Sequence, residues 1–301
     1  MKYTIENDNL WATIDSHGAE LVSVIKKETL NEYMWQKKRY WKRSSPVLFP
    51  IVGNVAEGRL SIDGVDYPMS QHGFARDMEF ELVEQKEDRI LFSLKYNEET
   101  LQKYPYHFEL KIGYQLVDNE VRVSWEVSDA VEDMYFMIGA HPAFNCPPRK
   151  VTDPVLNSDV EIENHDRTGC FVDYHTNNAI KYNLIDGKLL GIFDVEMKSE
   201  DGFMRLDEHT FDRDALVIEG DEIHEVSLCD AQKKPFVTVK FEEPLVGIWS
   251  PVGDSVPFVC IEPWFGRTDR LGFIGDISKR EYEQRINRDV AFNSTYTIII
   301  E

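Results

Sequence analysis

Along most of this chain apolar and polar residues alternate one by one. In RILFSLKY (89–96) the apolar positions are Ile90, Phe92, Leu94 and Tyr96. HFELKIGYQLV (107–117) repeats the pattern at Phe108, Leu110, Ile112, Tyr114 and Leu116, and EVRVSWEV (120–127) at Val121, Val123, Trp125 and Val127. FVTVKF (236–241) and TYTIII (295–300) continue it toward the end. A period of two turns one face of an extended chain to a core and the other to solvent, as antiparallel strands require. Asp118-Asn119, between two of these runs, predicts a tight hairpin.

Helical periodicity is scarce. ETLQKY (99–104), stopped by Pro105, predicts one or two turns. SKREYEQRI (278–286) predicts a short helix, with Ser278 and Glu281 at capping-box spacing. The stretch 148–215, entered through Pro147-Pro148 and containing Asn177-Asn178, predicts a long loop-rich excursion, after which strands resume. No repeat, low-complexity run or Gly/Ser linker divides the chain. The expectation is all-β: one large antiparallel β-sandwich spanning residues 1–301.

Composition adds mainly exclusions. Seventeen Phe, thirteen Tyr and six Trp are ample for a large core. The formal net charge of −21 opposes nucleic acid, and the short basic run KKRYWKR (37–43) is interrupted by Tyr40 and Trp41. No apolar run approaches the ~20 residues of a membrane span, and the first residues lack a signal core. Cys146, Cys170, Cys229 and Cys260 show no C-x-x-C spacing, so reduced thiols and a cytoplasmic location are expected. Oligomeric state is left open.

Two stretches depart from simple alternation in the same way. MYFMIGAHPAF (134–144) is apolar at both parities, as in a strand covered on both faces, and ends in His141 before Pro142. VPFVCIEPWF (256–265) does the same with Glu262 before Pro263. Proline cannot donate to a ladder, so pairing is expected to stop at each, with His141 and Glu262 at strand ends. A carboxylate in an apolar strand is costly without a partner, which makes Glu262 the sharper candidate. His72 in MSQHGFARD is a third candidate, and Gly73 beside it predicts a close backbone approach or an unusual φ. His17, His107, His165, His175, His209 and His224 receive no role. His72, His141 and Glu262 are also a zinc donor set, although neither histidine has a companion ligand at i+2 or i+4. No nucleophile elbow, phosphate loop or dinucleotide fingerprint is present.

The stretches SSPVLFPIVGN (44–54), QHGFARD (71–77), GAHPAFN (139–145), DALVI (214–218) and IEPWFGRTD (261–269), in this order, resemble the aldose 1-epimerase (galactose mutarotase-like) family, and most of all its LacX-type branch. The resemblance runs from GAEL (18–21) to beyond Asp269. It implies a large antiparallel β-sandwich that needs no cofactor and interconverts the α and β anomers of free sugars such as galactose or glucose. It further implies Glu262 as catalytic base, His141 as acid in a His-x-x-Phe-Asn element with Phe144 and Asn145, His72 as a sugar contact, and Asp214 as a substrate-binding aspartate. Trp264 or Phe265 would cover an apolar sugar face. Two departures bear on the substrate. Galactose mutarotases carry Asn-Arg-Ile where this chain has Asn54-Val55-Ala56. The positions of Arg43 and Arg76 resemble those of the arginines that hold the phosphate in the hexose-6-phosphate epimerase branch, so the resemblance implies a hexose that is either free or phosphorylated. A sugar-binding protein without turnover is the rival outside the enzyme class.

Overall fold

The computed structural model describes residues 1–301 apart from 38, 152–165, 198, 200, 221 and 254. Two large antiparallel sheets face each other. The first is assembled in the order Lys2–Glu6, Leu10–Asp15, Glu20–Lys26, Asn31–Met34, Ala143–Lys150, Phe258–Phe265, Leu245–Trp249, Leu216–Glu219, Lys181–Asp186 and Leu189–Glu196, with Ile138–Gly139 also paired to Phe258–Phe265. The second runs Phe203–Arg205, Phe171–Asp173, Glu225–Cys229, Pro235–Lys240, Phe292–Ile300, Glu120–Ser128, Glu109–Val117, Arg89–Lys95 and Glu81–Gln85. The five alternating runs of the sequence all lie in this second sheet. Val117 pairs with Glu120 across the Asp118-Asn119 hairpin, and Asp118 takes the positive φ of 52° that such a turn requires.

The main core fills the space between the sheets and takes every second residue of each strand. Phe92, Leu94, Ile112, Tyr114, Val123 and Trp125 enter it from one side, and Phe144, Ile218, Val246, Ile248, Val259 and Ile261 from the other. The first sheet is also covered on its outer face. There Val217, Leu245 and Trp264 form a second apolar cluster, and Ala143, Phe258 and Cys260 a third with Trp35 and Val256. Chain covered on both faces loses the polar half of its alternation, which is why 134–144 and 256–265 are apolar at both parities. The stretch 134–144 is nevertheless not one strand. Met134–Phe136 pairs with Gln284–Ile286 in a separate two-stranded sheet, and only Ile138–Gly139 joins the first sheet before the break at 140–142.

Three local expectations need correction. The stretch 148–215 contributes the strands Phe171–Asp173, Lys181–Asp186, Leu189–Glu196 and Phe203–Arg205, divided between the two sheets. Pro147 and Pro148 sit inside the strand Ala143–Lys150, where the pairing with Asn31–Met34 shifts register. In 278–286 the N-cap is Asp276, whose carboxylate accepts the Ser278 N–H at 3.0 Å and starts a single 3₁₀ turn. Glu281 bonds Arg267 and Arg270 instead of a helix terminus, and Gln284–Ile286 is a strand. The short helix after Tyr96 does form, over Glu98–Leu101, with a capping box between Asn97 and Thr100. No helix of the described residues is long and apolar enough to cross a membrane, and all four cysteines are free and buried.

Candidate active site

The outer face of the first sheet carries a cavity of about 400 Å³. Its floor follows from the period of two. On the strand Phe258–Phe265, Val259 and Ile261 point to the main core, and Phe265 packs against Phe292 on that side. Cys260, Glu262 and Trp264 therefore share the other face, and Glu262 and Trp264 line the cavity. Phe265 does not.

Pro263 does not end this strand. Val246 pairs with Pro263 and Gly139 with Trp264 beyond it. The cost of the missing N–H is met locally: the Ala140 carbonyl accepts the Trp264 indole N–H at 3.2 Å, while Ala140 N–H still reaches the Pro263 carbonyl at 3.0 Å. On the neighbouring strand regular pairing does lapse over residues 140–142 and resumes at Ala143. Gly139 is opposite Trp264 and Ala143 opposite Cys260, so the same register sets His141 across from Glu262. Their side chains meet, with His141 Nε2 3.2 Å from Glu262 Oε2.

Both groups are buried, with relative exposures of 6% for His141 and 1% for Glu262. Burial, with Asp214's charge adding to it, raises Glu262 well above the ordinary carboxyl range. Burial, with the guanidinium of Arg76 nearby, lowers His141 to about 3. Glu262 Oε1 and His141 Nδ1 have no hydrogen-bond partner. Burial thus favours the uncharged form of each member, and each keeps open bonding capacity.

His72 stands beside this pair, its ring centroid 5.5 Å from that of His141. Its Nδ1 accepts the Gly53 N–H at 3.1 Å, which leaves the proton on Nε2. Burial, then the nearness of His141, Arg76 and Arg43, hold it well below the usual histidine range. His72 itself has φ 63° and Gly73 φ 71°. A Cβ on Gly73 would lie 2.1 Å from the Phe49 carbonyl oxygen, so the backbone passes closer than any other residue allows. Asp214 and Arg76 also line the cavity. Arg76 donates to the Gln71 carbonyl at 2.6 Å and keeps a buried Nε without a hydrogen bond. Arg43 is not among the lining residues and pairs with Asp77 at 2.8 Å. Val55, at the position of the absent arginine, is buried in the main core. Among the other histidines none lines the cavity, and His165 lies outside the described residues.

The cavity also holds side chains that the sequence reading passed over. Trp41 stacks on the His141 ring, with centroids 4.7 Å apart and planes at 28°, and Trp249 meets the same ring edge-on at 5.5 Å. The signal for Trp41 was its place inside the basic run 37–43, where an aromatic among cations has no reason to face solvent. That loop is tied down by Glu20, which accepts the N–H groups of Ser44 and Ser45 at 2.6 and 3.0 Å and pairs with Lys37. Opposite, the Thr268 hydroxyl accepts the Asn54 N–H at 3.1 Å and lies 2.9 Å from the Lys188 carbonyl, joining three separate segments at the rim. For a metal, the side chains within reach are His141, Cys260 and Glu262, whose ligand atoms lie within 4.8 Å of one another. His72 does not belong to that group among the described residues.

Comparison with known proteins agrees with this architecture. A model of the family described as aldose 1-epimerase matches residues 1–271. The chain is 31% identical over 280 residues to the chromosomal protein LacX of Lactococcus lactis subsp. lactis, covering 90% of each. Among solved structures, a galactose mutarotase related enzyme from Lactobacillus acidophilus superposes with a TM-score of 0.88 at 32% identity, over 100% of this chain and 97% of that one. A galactose mutarotase-like protein from Lactobacillus casei gives the same TM-score at 25% identity, over the whole of both chains. The paired Glu262 and His141 at the base of a sandwich-face cavity thus lie in a chain that belongs to the aldose 1-epimerase family.

Proposed function

We propose that this protein is an aldose 1-epimerase that interconverts the α and β anomers of a hexose such as galactose or glucose. The observation that carries the reading is the 3.2 Å separation between His141 Nε2 and Glu262 Oε2. Mutarotation removes a proton from the anomeric hydroxyl and adds one to the ring oxygen. Both oxygens are bonded to the same carbon, so the acceptor and the donor must themselves be neighbours.

The pair holds one transferable proton. While it sits on Glu262 both groups are neutral, the form that burial favours. Its transfer to His141 creates a carboxylate base and an imidazolium acid without changing the net charge of the site. Glu262 then takes the proton of the anomeric hydroxyl while His141 protonates the ring oxygen. The ring opens, rotation about C1–C2 presents the other carbonyl face, and closure reverses the two transfers. Trp41 stacked on His141 and the Nδ1 bond of His72 keep the imidazoles oriented. Asp214 and Trp264 are assigned to hydroxyl binding and to the apolar sugar face.

A second substrate reading has its own support. Arg76 is lowered to about 10 by burial and by the nearby charge of Arg43, and its Nε makes no hydrogen bond, with the Asp77 carboxylate 3.8 Å away. Asp77 is shared by both guanidinium groups and offsets one of their two charges. The remaining positive charge beside the cavity favours an anion, so a 6-phosphorylated hexose is the alternative substrate, with Arg76 as the direct contact. Anomer exchange followed by NMR or polarimetry across free and 6-phosphorylated hexoses tests both readings. Acceleration over solvent for a free hexose supports the first and acceleration confined to 6-phosphates the second. Sugar binding without acceleration would make the protein a non-catalytic sugar binder.

A further inference from the structure

The acid–base chemistry uses Glu262 and His141 and leaves the third member of their cluster without a task. Cys260 is two residues before Glu262 on the same strand face and is fully buried. Its neighbour across the ladder is Ala143, two residues after His141. The Sγ of Cys260, a ring nitrogen of His141 and a carboxylate oxygen of Glu262 lie within 4.8 Å of one another. Glu262 also keeps a buried, unpartnered Oε1.

We infer that His141, Cys260 and Glu262 form a three-ligand site for zinc, and that zinc bound there silences the acid–base pair. The inference rests on the proposed function only for the silencing; the site stands on the donor set. One nitrogen, one sulfur and one carboxylate oxygen are the donors zinc prefers, and three protein ligands leave the fourth tetrahedral position to face the cavity. Magnesium and calcium want six or more oxygens and find one side chain here that supplies them. Charge also selects the ion: a divalent cation replacing the protons of one thiol and one carboxyl leaves the buried site neutral. From the usual zinc–ligand distances, tetrahedral donors stand about 3.5 Å apart. Rotation of the Cys260 and Glu262 side chains therefore needs to close a gap of about 1 Å. Once bound, the ion occupies the His141 nitrogen and the Glu262 oxygen that would exchange protons with the sugar.

Cobalt(II) is the probe, because a thiolate ligand announces itself by a charge-transfer band in the near ultraviolet. Titrating the intact protein with cobalt should produce that band, and zinc should abolish it by displacement. Cys260→Ser should remove the band and weaken zinc binding, measured by calorimetry, at least tenfold. Cys260→Ala is the second variant should serine not be accepted in that apolar setting. In the anomer-exchange assay, zinc should slow the wild-type protein and a chelator restore it. Cys260→Ser should exchange anomers at close to the wild-type rate and need at least tenfold more zinc for the same inhibition. No thiolate band, a band that survives removal of Cys260, or full activity with the band saturated would each overturn the proposal. A protein that binds cobalt through Cys260 but never accelerates anomer exchange would refute the proposed function and leave the metal site standing.

Discussion

Glu262→Gln separates chemistry from folding at this site. The substitution keeps the size and planarity of the side chain, and its amide N–H can still donate to His141 Nε2. It removes the base, and with it the proton that His141 receives across 3.2 Å. A positioned general base contributes roughly 10²–10⁴-fold. Because one change disables both members of the pair, the upper part of that range applies, about 10³–10⁴, or ~4–5.5 kcal/mol at 1.36 kcal/mol per decade. Stability should move the other way. Glu262 is raised in the fold relative to an unfolded chain, so the folded state holds the proton more tightly. Its contribution is fully present below the ordinary glutamate range and is lost as pH rises toward the raised value. At neutral pH the neutral glutamine escapes that loss, and its unfolding midpoint should equal or exceed the wild type's. The assay is anomer exchange at saturating sugar, with chemical denaturation in parallel between pH 4 and 8. Exchange within tenfold of the wild-type rate would remove Glu262 from the mechanism. A lower midpoint at neutral pH would show that the carboxylate is structural.

Arg76→Ala should raise KM for a hexose 6-phosphate about 10- to 100-fold, the worth of a charge-assisted hydrogen bond, and change KM for the free hexose by far less; equal effects would assign Arg76 to the sugar ring or to the fold. Gly73→Ala should destabilise the protein by at least about 2 kcal/mol, since φ is 71° and the new Cβ meets the Phe49 carbonyl, and should slow exchange by displacing His72; denaturant midpoints and rates check both. Asp269→Ala should cost about 3–5 kcal/mol by stranding a buried guanidinium, because Asp269 holds Arg280 at 2.8 and 3.0 Å and also accepts the Ala56 N–H; adding Arg280→Met should recover part of that loss in a double-mutant cycle.

What the sequence determined by itself was what depends on neighbours in the chain. The period of two specified strands, their faces and the all-β class, because side-chain direction in an extended chain is a local property. Apolar residues at both parities marked 134–144 and 256–265 as chain covered on both faces, and the ionisable residues inside them marked His141 and Glu262. That 134–144 is not one strand, with Met134–Phe136 pairing with Gln284–Ile286 and only Ile138–Gly139 joining the first sheet before His141, was a tertiary outcome. Gly73 announced its close approach because no other residue type tolerates one. Tertiary structure decided everything that depends on which strands pair and in what register. Only that register sets His141 across from Glu262 and Cys260 on the same face two residues away. Only the packed sheet supplies Trp264's indole to the carbonyl that Pro263 leaves unmet, so the strand continues where the chain alone predicts a stop. Within 148–215, Phe171–Asp173 and Phe203–Arg205 are only three residues long and pair with each other and with Glu225–Cys229 across long stretches of chain, so local pattern does not distinguish them from loop. Lys181–Asp186 and Leu189–Glu196 form a local hairpin, and what the chain alone leaves open is its docking on Leu216–Glu219. Trp41 and Thr268 become cavity walls because loops from distant parts of the chain converge over one sheet face, a long-range closure that no window of sequence encodes.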